Sequence, residues 1–203
     1  MIIVGVTGGT GSGKSTLCRI WAAKGVVVLD ADKLYHWLLA ESEEINAALF
    51  ARFPTAYEGR KLNRKALAAL VFSNPAALRD LNEITHRFVL TEIDGRLEAE
   101  ALRDTHLALV DAIHLIGSGL AERCKHTIAV LSPQELRLAR IMARDGLTHE
   151  QALARIQGQP EEDYFRKNVD FVLENNNGVE PFSAKAEQLY YKIMEETLYE
   201  QQA

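Results

Sequence analysis

The stretch VTGGTGSGKST, residues 6–16, concentrates glycines, hydroxyl side chains and one lysine in a short span. Within it, Gly8-x-x-x-x-Gly13-Lys14-Ser15 matches the phosphate-binding P-loop pattern, between an apolar run typical of a strand and a run with helical spacing. Glycines let successive backbone N–H groups converge on phosphate oxygens, and the helix N-terminus adds unsatisfied donors. Lys14 would reach the β- and γ-phosphates of ATP, and the Ser15 hydroxyl would ligate Mg²⁺. The pattern predicts a nucleotide site formed by Gly9, Thr10, Gly11, Ser12, Gly13, Lys14, Ser15 and Thr16.

Other glycine-rich nucleotide motifs fit these letters less well. A dinucleotide fingerprint beginning at Gly9 and Gly11 would require a third glycine at position 14, where the chain has lysine. Switch-type GTPases carry Asp-x-x-Gly after a strand and an Asn-Lys-x-Asp guanine reader, and the sequence contains neither. A small-molecule kinase remains, and such an enzyme needs a second substrate pocket and a lid that excludes water.

Carboxylates follow two of the apolar runs. Asp30 and Asp32, in VLDADKLY, come at the end of a strand, where an open parallel sheet binds its ligands. Asp32 is our candidate for the general base that accepts the proton of an attacking hydroxyl. The alternative is that Asp32 caps the following helix and Asp30 only ends a strand. Asp111 ends LALVD, and we expect it either to hold Mg²⁺ or to be an ordinary polar strand end.

An arginine row follows at residues 137–144. Arg137, Arg140 and Arg144 recur at three or four residues and therefore lie on one side of a helix. Arginines near a transferred phosphoryl group would offset the charge on its oxygens. A solvated helix face, shared with Glu135 and Asp145, is the alternative.

The order of apolar runs predicts an α/β fold with a parallel sheet. MIIVGVT and VVVLD are two strands around one helix, which implies a parallel pair with a right-handed crossover. Residues 33–103 indicate a mostly helical insertion, with breaks near Pro54–Gly59 and Asn74–Pro75. LALVD, TIAVL and DFVLE are further strands, with helices at about 133–144 and 148–157. Residues 158–168 are polar and turn-prone, a candidate mobile segment.

Composition excludes several classes. The 203 residues carry a formal net charge of -5, which argues against a nucleic-acid partner. No apolar run approaches the roughly 20 residues that cross a bilayer, so we expect no membrane association. Two cysteines are too few for a disulfide framework, so a reducing, cytoplasmic location is expected. We expect a monomer or weak homo-oligomer.

Several segments together resemble the dephospho-coenzyme A kinase family. They are spread over nearly the whole chain in the expected order: TGGTGSGKST, VLDADKL, LNRKALAALVF, LNEITH, RLARIMARDGLTHEQALARIQGQ and VDFVLENNNG. The resemblance implies a P-loop kinase three-layer fold, with a core of about 1–32, 104–136 and 169–203, a helical substrate-binding insertion of about 33–103, and a lid of about 137–168. It also implies that ATP, with Mg²⁺, phosphorylates the ribose 3′-hydroxyl of dephospho-coenzyme A. Asp32 would be the base, Arg140 would meet the phosphates from the lid, and Asn175 would lie near the adenine.

This chain departs from the family pattern on the acceptor side. His86-Arg87 stands where the family usually has His-Pro, and IHLIG stands in place of Pro-Leu-Leu-x-Glu. Ile113 thus replaces the proline and Gly117 the glutamate. Two alternatives therefore stay open: another P-loop kinase for a nucleoside- or nucleotide-like small molecule, and a non-catalytic nucleotide-binding paralogue.

Overall fold

The computed structural model describes residues 1–103 and 105–201, with side chains as far as residue 196. The strands are β1 (Ile2–Thr7), β2 (Val27–Asp30), β3 (Tyr57–Glu58), β4 (Lys61–Leu62), β5 (Leu107–Asp111), β6 (His126–Leu131) and β7 (Phe171–Glu174). The helices are α1 (Lys14–Ala22), α2 (Ala31–Glu41), α3 (Glu43–Arg52), α4 (Arg64–Phe72), α5 (Pro75–Ala101), α6 (Gln134–Asp145), α7 (His149–Gln157), α8 (Glu162–Lys167) and α9 (Val179–Gln201). The chain divides into two compact units, residues 1–29 with 100–203, and residues 30–99.

The first unit contains a five-stranded sheet with the strand order β2-β5-β1-β6-β7. β1 pairs in parallel with β5 and with β6, and β6 pairs in parallel with β7. The register places Asp111, the last residue of β5, beside Val6, so the chain that follows β1 starts next to this carboxylate. The predicted α/β class with a parallel sheet is confirmed.

β1 and β2 are not neighbours in the sheet, so the prediction that they form a parallel pair is wrong. β5 lies between them, and four of its five residues are buried. β2 is shorter, less buried and lies at the edge. A strand–helix–strand sequence constrains the handedness of the crossover, but it does not say how many strand positions the crossover spans.

α1 packs against the sheet and against α9. Leu17 and Trp21 of α1 are fully buried in a core shared with β1, β5, β6 and α9. The Trp21 Nε1–H donates to the carbonyl of Ala186 at 2.9 Å, which satisfies the indole on the α9 side. Because this face of α1 is close-packed, the residues at its N-terminus are held in a defined position.

α6 and α7 form a helical pair with a small core of their own. Leu138 and Ile141 of α6 pack against Ala152 and Ile156 of α7. α6 ends at Gly146, whose φ of 65° favours glycine, and α7 begins with a capping box. Both helices were predicted from sequence, and their bounds differ from the prediction by one residue.

Residues 158–168 contain a short helix that the sequence did not predict. α8 spans residues 162–167 of this polar, turn-prone segment, and its Phe165 is 2% exposed. Phe165 packs with Ala129 and Leu131 of β6. The prediction of a turn-prone segment is therefore wrong for α8, because one aromatic side chain anchors it to the sheet.

The second unit is mostly helical, as predicted, with α2, α3, α4 and α5 around buried aliphatic residues. A short 3₁₀ turn lies at the break near residues 54–59, and the antiparallel pair β3–β4 follows it at residues 57–62; the sequence did not predict this pair. Side chains of Asp30, Ser42 and Asn63 cap α2, α3 and α4. Among the described residues, no helix is long and apolar enough to span a membrane.

Candidate active site

The first unit has a cavity of about 640 Å³ at the P-loop, which we call the P-loop cavity. Eleven of the residues predicted for the site line it: Gly9, Thr10, Gly11, Gly13, Lys14, Ser15, Thr16, Asp111, Arg140, Arg144 and Asn175. Ser12 is 1% exposed and does not line the cavity. The structure therefore brings together residues from four separate parts of the chain.

The P-loop backbone requires glycine at two of its positions. Gly8 has a φ of 135°, and a Cβ there would lie 2.2 Å from the carbonyl oxygen of Val130. Gly13 has a φ of 111°, and a Cβ there would lie 2.1 Å from Nδ2 of Asn175. Both positions combine a left-handed backbone with a close neighbour, so no other residue fits without a shift.

α1 begins without a side-chain cap. Gly13 is its N-cap residue, and no side chain accepts a hydrogen bond from the first turn. The Gly13 carbonyl accepts from the N–H groups of Thr16 and Leu17. The first N–H groups of a helix have no intrahelical acceptor, and those of Lys14 and Ser15 head α1 at the cavity. The arrangement is suited to binding an anion.

Lys14 and Asp111 place opposite charges inside the P-loop cavity. The Lys14 Nζ donates to the carbonyl of Gly8 at 3.1 Å and lies 3.9 Å from Oδ1 of Asp111. The two side chains are 12% and 16% exposed. The other Asp111 oxygen, Oδ2, accepts from Sγ of Cys18 at 3.6 Å, a contact that the sequence did not indicate.

Arg140 and Asn175 bind the second half of the P-loop. Arg140 Nη1 donates to the carbonyls of Gly11 and Ser12 at 3.1 and 3.3 Å, and to the Ser132 hydroxyl. Its Nη2 donates to the Asn175 carbonyl at 3.1 Å. The Asn175 Nδ2 donates to the Ser12 carbonyl at 2.8 Å. Both side chains line the P-loop cavity while they hold the loop backbone, a contact that sequence reasoning missed.

Arg137 and Gln159 bind the first half of the P-loop, at Thr10. The spacing of the arginine row put Arg137 beside Arg140, but nothing in the sequence indicated that Gln159 would meet Thr10 across 149 residues.

Arg144 has an acidic partner. Its Nε and Nη2 donate to the two carboxylate oxygens of Asp145 at 2.7 and 2.9 Å. Arg155 also binds Asp145, and these hydrogen bonds, the one from Arg144 first, lower the pKa of Asp145 to about 2. The same pairing raises the pKa of Arg144. Arg144 thus has features of both alternatives drawn from the sequence. It lines the P-loop cavity, as expected of an arginine near the phosphoryl group, and it pairs with Asp145, as expected of a solvated helix face.

Asp30 and Asp32 have different positions at the start of the second unit. Asp30 is the N-cap of α2: its Oδ1 accepts from the Lys33 N–H at 2.9 Å, and its Oδ2 pairs with the Lys33 Nζ at 2.9 Å. Asp32 lies in the first turn of α2 and is exposed. The alternative in which Asp32 caps this helix is therefore wrong, because Asp30 is the cap.

The departures from the family pattern have local structural counterparts. Arg87 lies inside the continuous helix α5, where a proline would remove a backbone hydrogen bond. Ile113 lines the P-loop cavity, and its carbonyl accepts from the Thr7 hydroxyl at 3.0 Å. Gly117 has a φ of 77°, which a glutamate would adopt only with strain.

Comparisons with a family model, with related sequences and with solved structures give consistent results. The family model for dephospho-CoA kinase matches residues 2–181. A dephospho-CoA kinase of Deinococcus radiodurans is 38% identical over 177 residues, 87% of this chain and 85% of the relative. A crystal structure of a Thermus thermophilus protein has a TM-score of 0.76 at 36% identity, covering 96% of this chain and 97% of that chain. The dephospho-CoA kinase from Campylobacter jejuni has a TM-score of 0.67 at 28% identity, with 96% and 98% covered.

Proposed function

The chain belongs to the dephospho-CoA kinase family, and from this premise we propose how its own residues carry out the reaction. As a member of the family, it transfers a phosphoryl group from ATP to dephospho-coenzyme A, a step of coenzyme A biosynthesis. The two alternatives, another small-molecule kinase and a non-catalytic paralogue, are not favoured by these relatives.

The P-loop binds the polyphosphate of ATP in this proposal. Its main support is the start of α1, which has no side-chain cap and leads directly into Lys14 at the cavity. The N–H groups of Lys14 and Ser15 donate to phosphate oxygens, and the Lys14 ammonium offsets charge as the γ-phosphoryl group leaves. Thr16 contributes a further polar lining residue.

The Ser15 hydroxyl and the Asp111 carboxylate would hold Mg²⁺. Both line the P-loop cavity, and hydroxyl and carboxylate oxygens are ligands that Mg²⁺ accepts. Among the described residues no group of three or more acidic, His or Cys side chains could hold a metal. Mg²⁺ is usually held by one or two carboxylates together with substrate phosphates and waters, which is the role proposed for Asp111. Held by Ser15 and Asp111, Mg²⁺ would supply positive charge that offsets the negative charge of the phosphates.

Asp32 acts as the general base toward the ribose 3′-hydroxyl of the acceptor. The support is its position, since Asp32 is exposed in the first turn of α2, just past the carboxyl end of β2, where a parallel sheet binds its ligands. Asp32 in its ionised form accepts the hydroxyl proton as the oxygen attacks the γ-phosphoryl group.

Arg140 and Arg144 carry positive charge at the same cavity and would offset the negative charge on the transferred group. The adenine would lie toward Asn175, where Val179 and Phe182 add apolar lining. The free cysteines Cys18 and Cys124 suit a reducing cytoplasm, and we propose that the enzyme works there as a monomer or weak homo-oligomer.

An acceptor assay tests the function directly. The protein is incubated with ATP, Mg²⁺ and dephospho-coenzyme A, and ADP and coenzyme A are quantified by chromatography. We expect equal amounts of the two products, and a panel of nucleosides and sugars serves as the acceptor control. Turnover of another acceptor but not of dephospho-coenzyme A would contradict the proposal.

A further inference from the structure

Thr10, inside the P-loop, is bound by two side chains from a distant part of the chain. The Gln159 Oε1 accepts from the Thr10 N–H at 2.8 Å, and the Gln159 Nε2 donates to the Thr10 hydroxyl at 2.8 Å. The Arg137 Nε donates to the Thr10 carbonyl at 2.9 Å. All the polar groups of Thr10 are therefore engaged by Arg137 and Gln159, which we call the Thr10 clamp.

The two members of the Thr10 clamp also hold each other. The Arg137 Nη2 donates to the Gln159 Oε1 at 2.9 Å, so this oxygen accepts from both Arg137 and Thr10. Arg137 is half-buried, and burial lowers the pKa of its guanidinium. A half-buried guanidinium is stabilised by good acceptors, and the clamp supplies two of them.

The Thr10 clamp leaves no space beside the loop. A Cβ at Gly9 would lie 2.2 Å from the Arg137 Nη2 and 3.0 Å from the Gln159 Oε1. The clamp therefore lies directly against the Gly9–Thr10 backbone and fixes the conformation of this part of the P-loop.

Both members of the clamp come from the α6–α7 pair. Arg137 lies in the first turns of α6, and Gln159 follows α7, where its N–H donates to the Ile156 carbonyl. The packing of Leu138 and Ile141 against Ala152 and Ile156 holds the two attachment points together. The position of the Thr10 peptide is thus tied to a preformed helical pair.

We propose that Arg137 and Gln159 are positioning residues that preorganise the P-loop for the polyphosphate of ATP. The inference rests on the proposed role of the P-loop in binding ATP. A loop already held in its binding conformation loses little conformational freedom when the nucleotide arrives, and the affinity is higher for that reason. Neither side chain needs to touch the substrate, since the clamp acts through Thr10.

The expected result is a selective loss of nucleotide affinity. Gln159→Leu keeps much of the side-chain volume and removes three hydrogen bonds, and Arg137→Met removes two. We expect the Kd for Mg·ADP to rise roughly tenfold in each variant, as for the loss of about one net hydrogen bond. The KM for dephospho-coenzyme A stays unchanged, because the clamp acts on the donor loop alone.

Calorimetry with Mg·ADP, at a temperature at which circular dichroism shows every variant folded, gives these affinities. Gln157→Leu is the matched control, since Gln157 is exposed two residues before Gln159. The double variant completes a cycle, and it should lose less affinity than the two single losses combined, because the residues share one acceptor atom.

Several outcomes would overturn the inference. It fails if Gln159→Leu binds Mg·ADP within about twofold of the wild type, if Gln157→Leu weakens binding as much, or if the acceptor KM rises in parallel. If the wild type binds no nucleotide, the proposed function itself fails. Should Gln159→Leu not fold, the comparison of Thr10→Val with Thr10→Ser tests the clamp instead. Thr10→Val lacks the hydroxyl that Gln159 binds, so it must bind Mg·ADP more weakly than Thr10→Ser, which keeps a hydroxyl. Equal binding by the two variants would refute the clamp.

Discussion

Lys14, the first residue of α1, and Asp111, the last residue of β5, meet inside the P-loop cavity, with Nζ 3.9 Å from Oδ1. Each side chain is mostly shielded from solvent, and the attraction between the two opposite charges offsets part of the cost of burying them. A polyphosphate would bring negative charge next to Lys14, and a divalent cation would bring positive charge next to Asp111. The residue pair is therefore matched to its proposed ligand.

Removal of the Asp111 charge tests the Mg²⁺ site. Asp111→Asn keeps the size of the side chain, and the Mg²⁺ concentration that gives half-maximal activity should rise roughly 10- to 100-fold, as for other changes near a bound metal. Initial rates over a Mg²⁺ titration at saturating ATP give this value. Asp163→Asn, on the exposed face of α8, is the control and should match the wild type. An unchanged Mg²⁺ requirement in Asp111→Asn would remove Asp111 from the metal site.

Lys14→Ala tests the charge that the P-loop places on the phosphates. Loss of one preorganised charge-stabilising donor typically lowers kcat by roughly 10²-fold or more, and we expect a fall of that size. Steady-state kinetics with saturating substrates measure it, with Lys167→Ala on α8 as an exposed control. A kcat near that of the wild type would show that Lys14 does not act on the transferred group.

Substitution of Asp32 should lower the reaction rate, whereas substitution of Asp30 should lower the stability of the fold. Asp32→Asn should lower kcat by roughly 10²- to 10⁴-fold with little change in stability, because the general base is lost. Asp30→Ala should lower the free energy of unfolding by about 1 kcal/mol, because the N-cap of α2 is lost. Denaturant unfolding and initial rates separate the two effects. If the rate loss followed Asp30→Asn and not Asp32→Asn, the base would be Asp30.

The Asp145 carboxylate should make stability depend on pH in the acid range. Hydrogen bonds from Arg144 and Arg155 lower its pKa from 3.8 to about 2 in the folded protein. The unfolded state then binds more protons between these values, so the contribution is present above about pH 4 and disappears as the pH falls toward 2. The difference in Tm between the wild type and Asp145→Asn should shrink over this range. Because Asp145 is exposed, the difference should also shrink in high salt, and a pH-independent difference would contradict the pairing.

Gly117 offers a test of how this chain tolerates its altered acceptor-side segment. Its φ of 77° is costly for any residue with a Cβ, so Gly117→Ala should lower stability by roughly 1 kcal/mol or more. Gly95→Ala is the opposite control, because Gly95 lies within α5 with open space at its Cβ position, and alanine should stabilise that helix by about 0.5–1 kcal/mol. Denaturant melts compare the two. A gain in stability at both positions would show that Gly117 is not held in this backbone conformation.

Local sequence was enough to predict the parts of the site that are close together in the chain. The order strand, glycine-rich loop and helix specifies the position of Gly13, Lys14 and Ser15, because the residues that form the loop are also the ones that present the phosphate-binding groups. The position of Asp111 at the cavity was predictable for a similar reason, since a polar residue at the end of a buried strand lies at the ligand-binding edge of a parallel sheet.

Contacts between distant segments could not be predicted in this way. The Thr10 clamp joins residues separated by 127 and 149 positions, and helical spacing says only that Arg137 shares a face with Arg140. The insertion of β5 between β1 and β2 depends on which strand buries more surface, which a local pattern does not reveal. α8 was missed because a single buried phenylalanine decides the structure of a polar segment.

The uncapped first turn of α1 has a consequence for the life of the molecule in the cell. A side chain often caps the first turn of a helix, whereas the first turn of α1 has no side-chain cap, and in the proposed function the polyphosphate of ATP binds there. A ligand that binds only the native state stabilises it by about 2.7 kcal/mol at a hundred times its Kd. We therefore expect the enzyme to be more vulnerable to unfolding and proteolysis when adenine nucleotides are scarce, so that starvation would shorten its survival as well as slow its turnover.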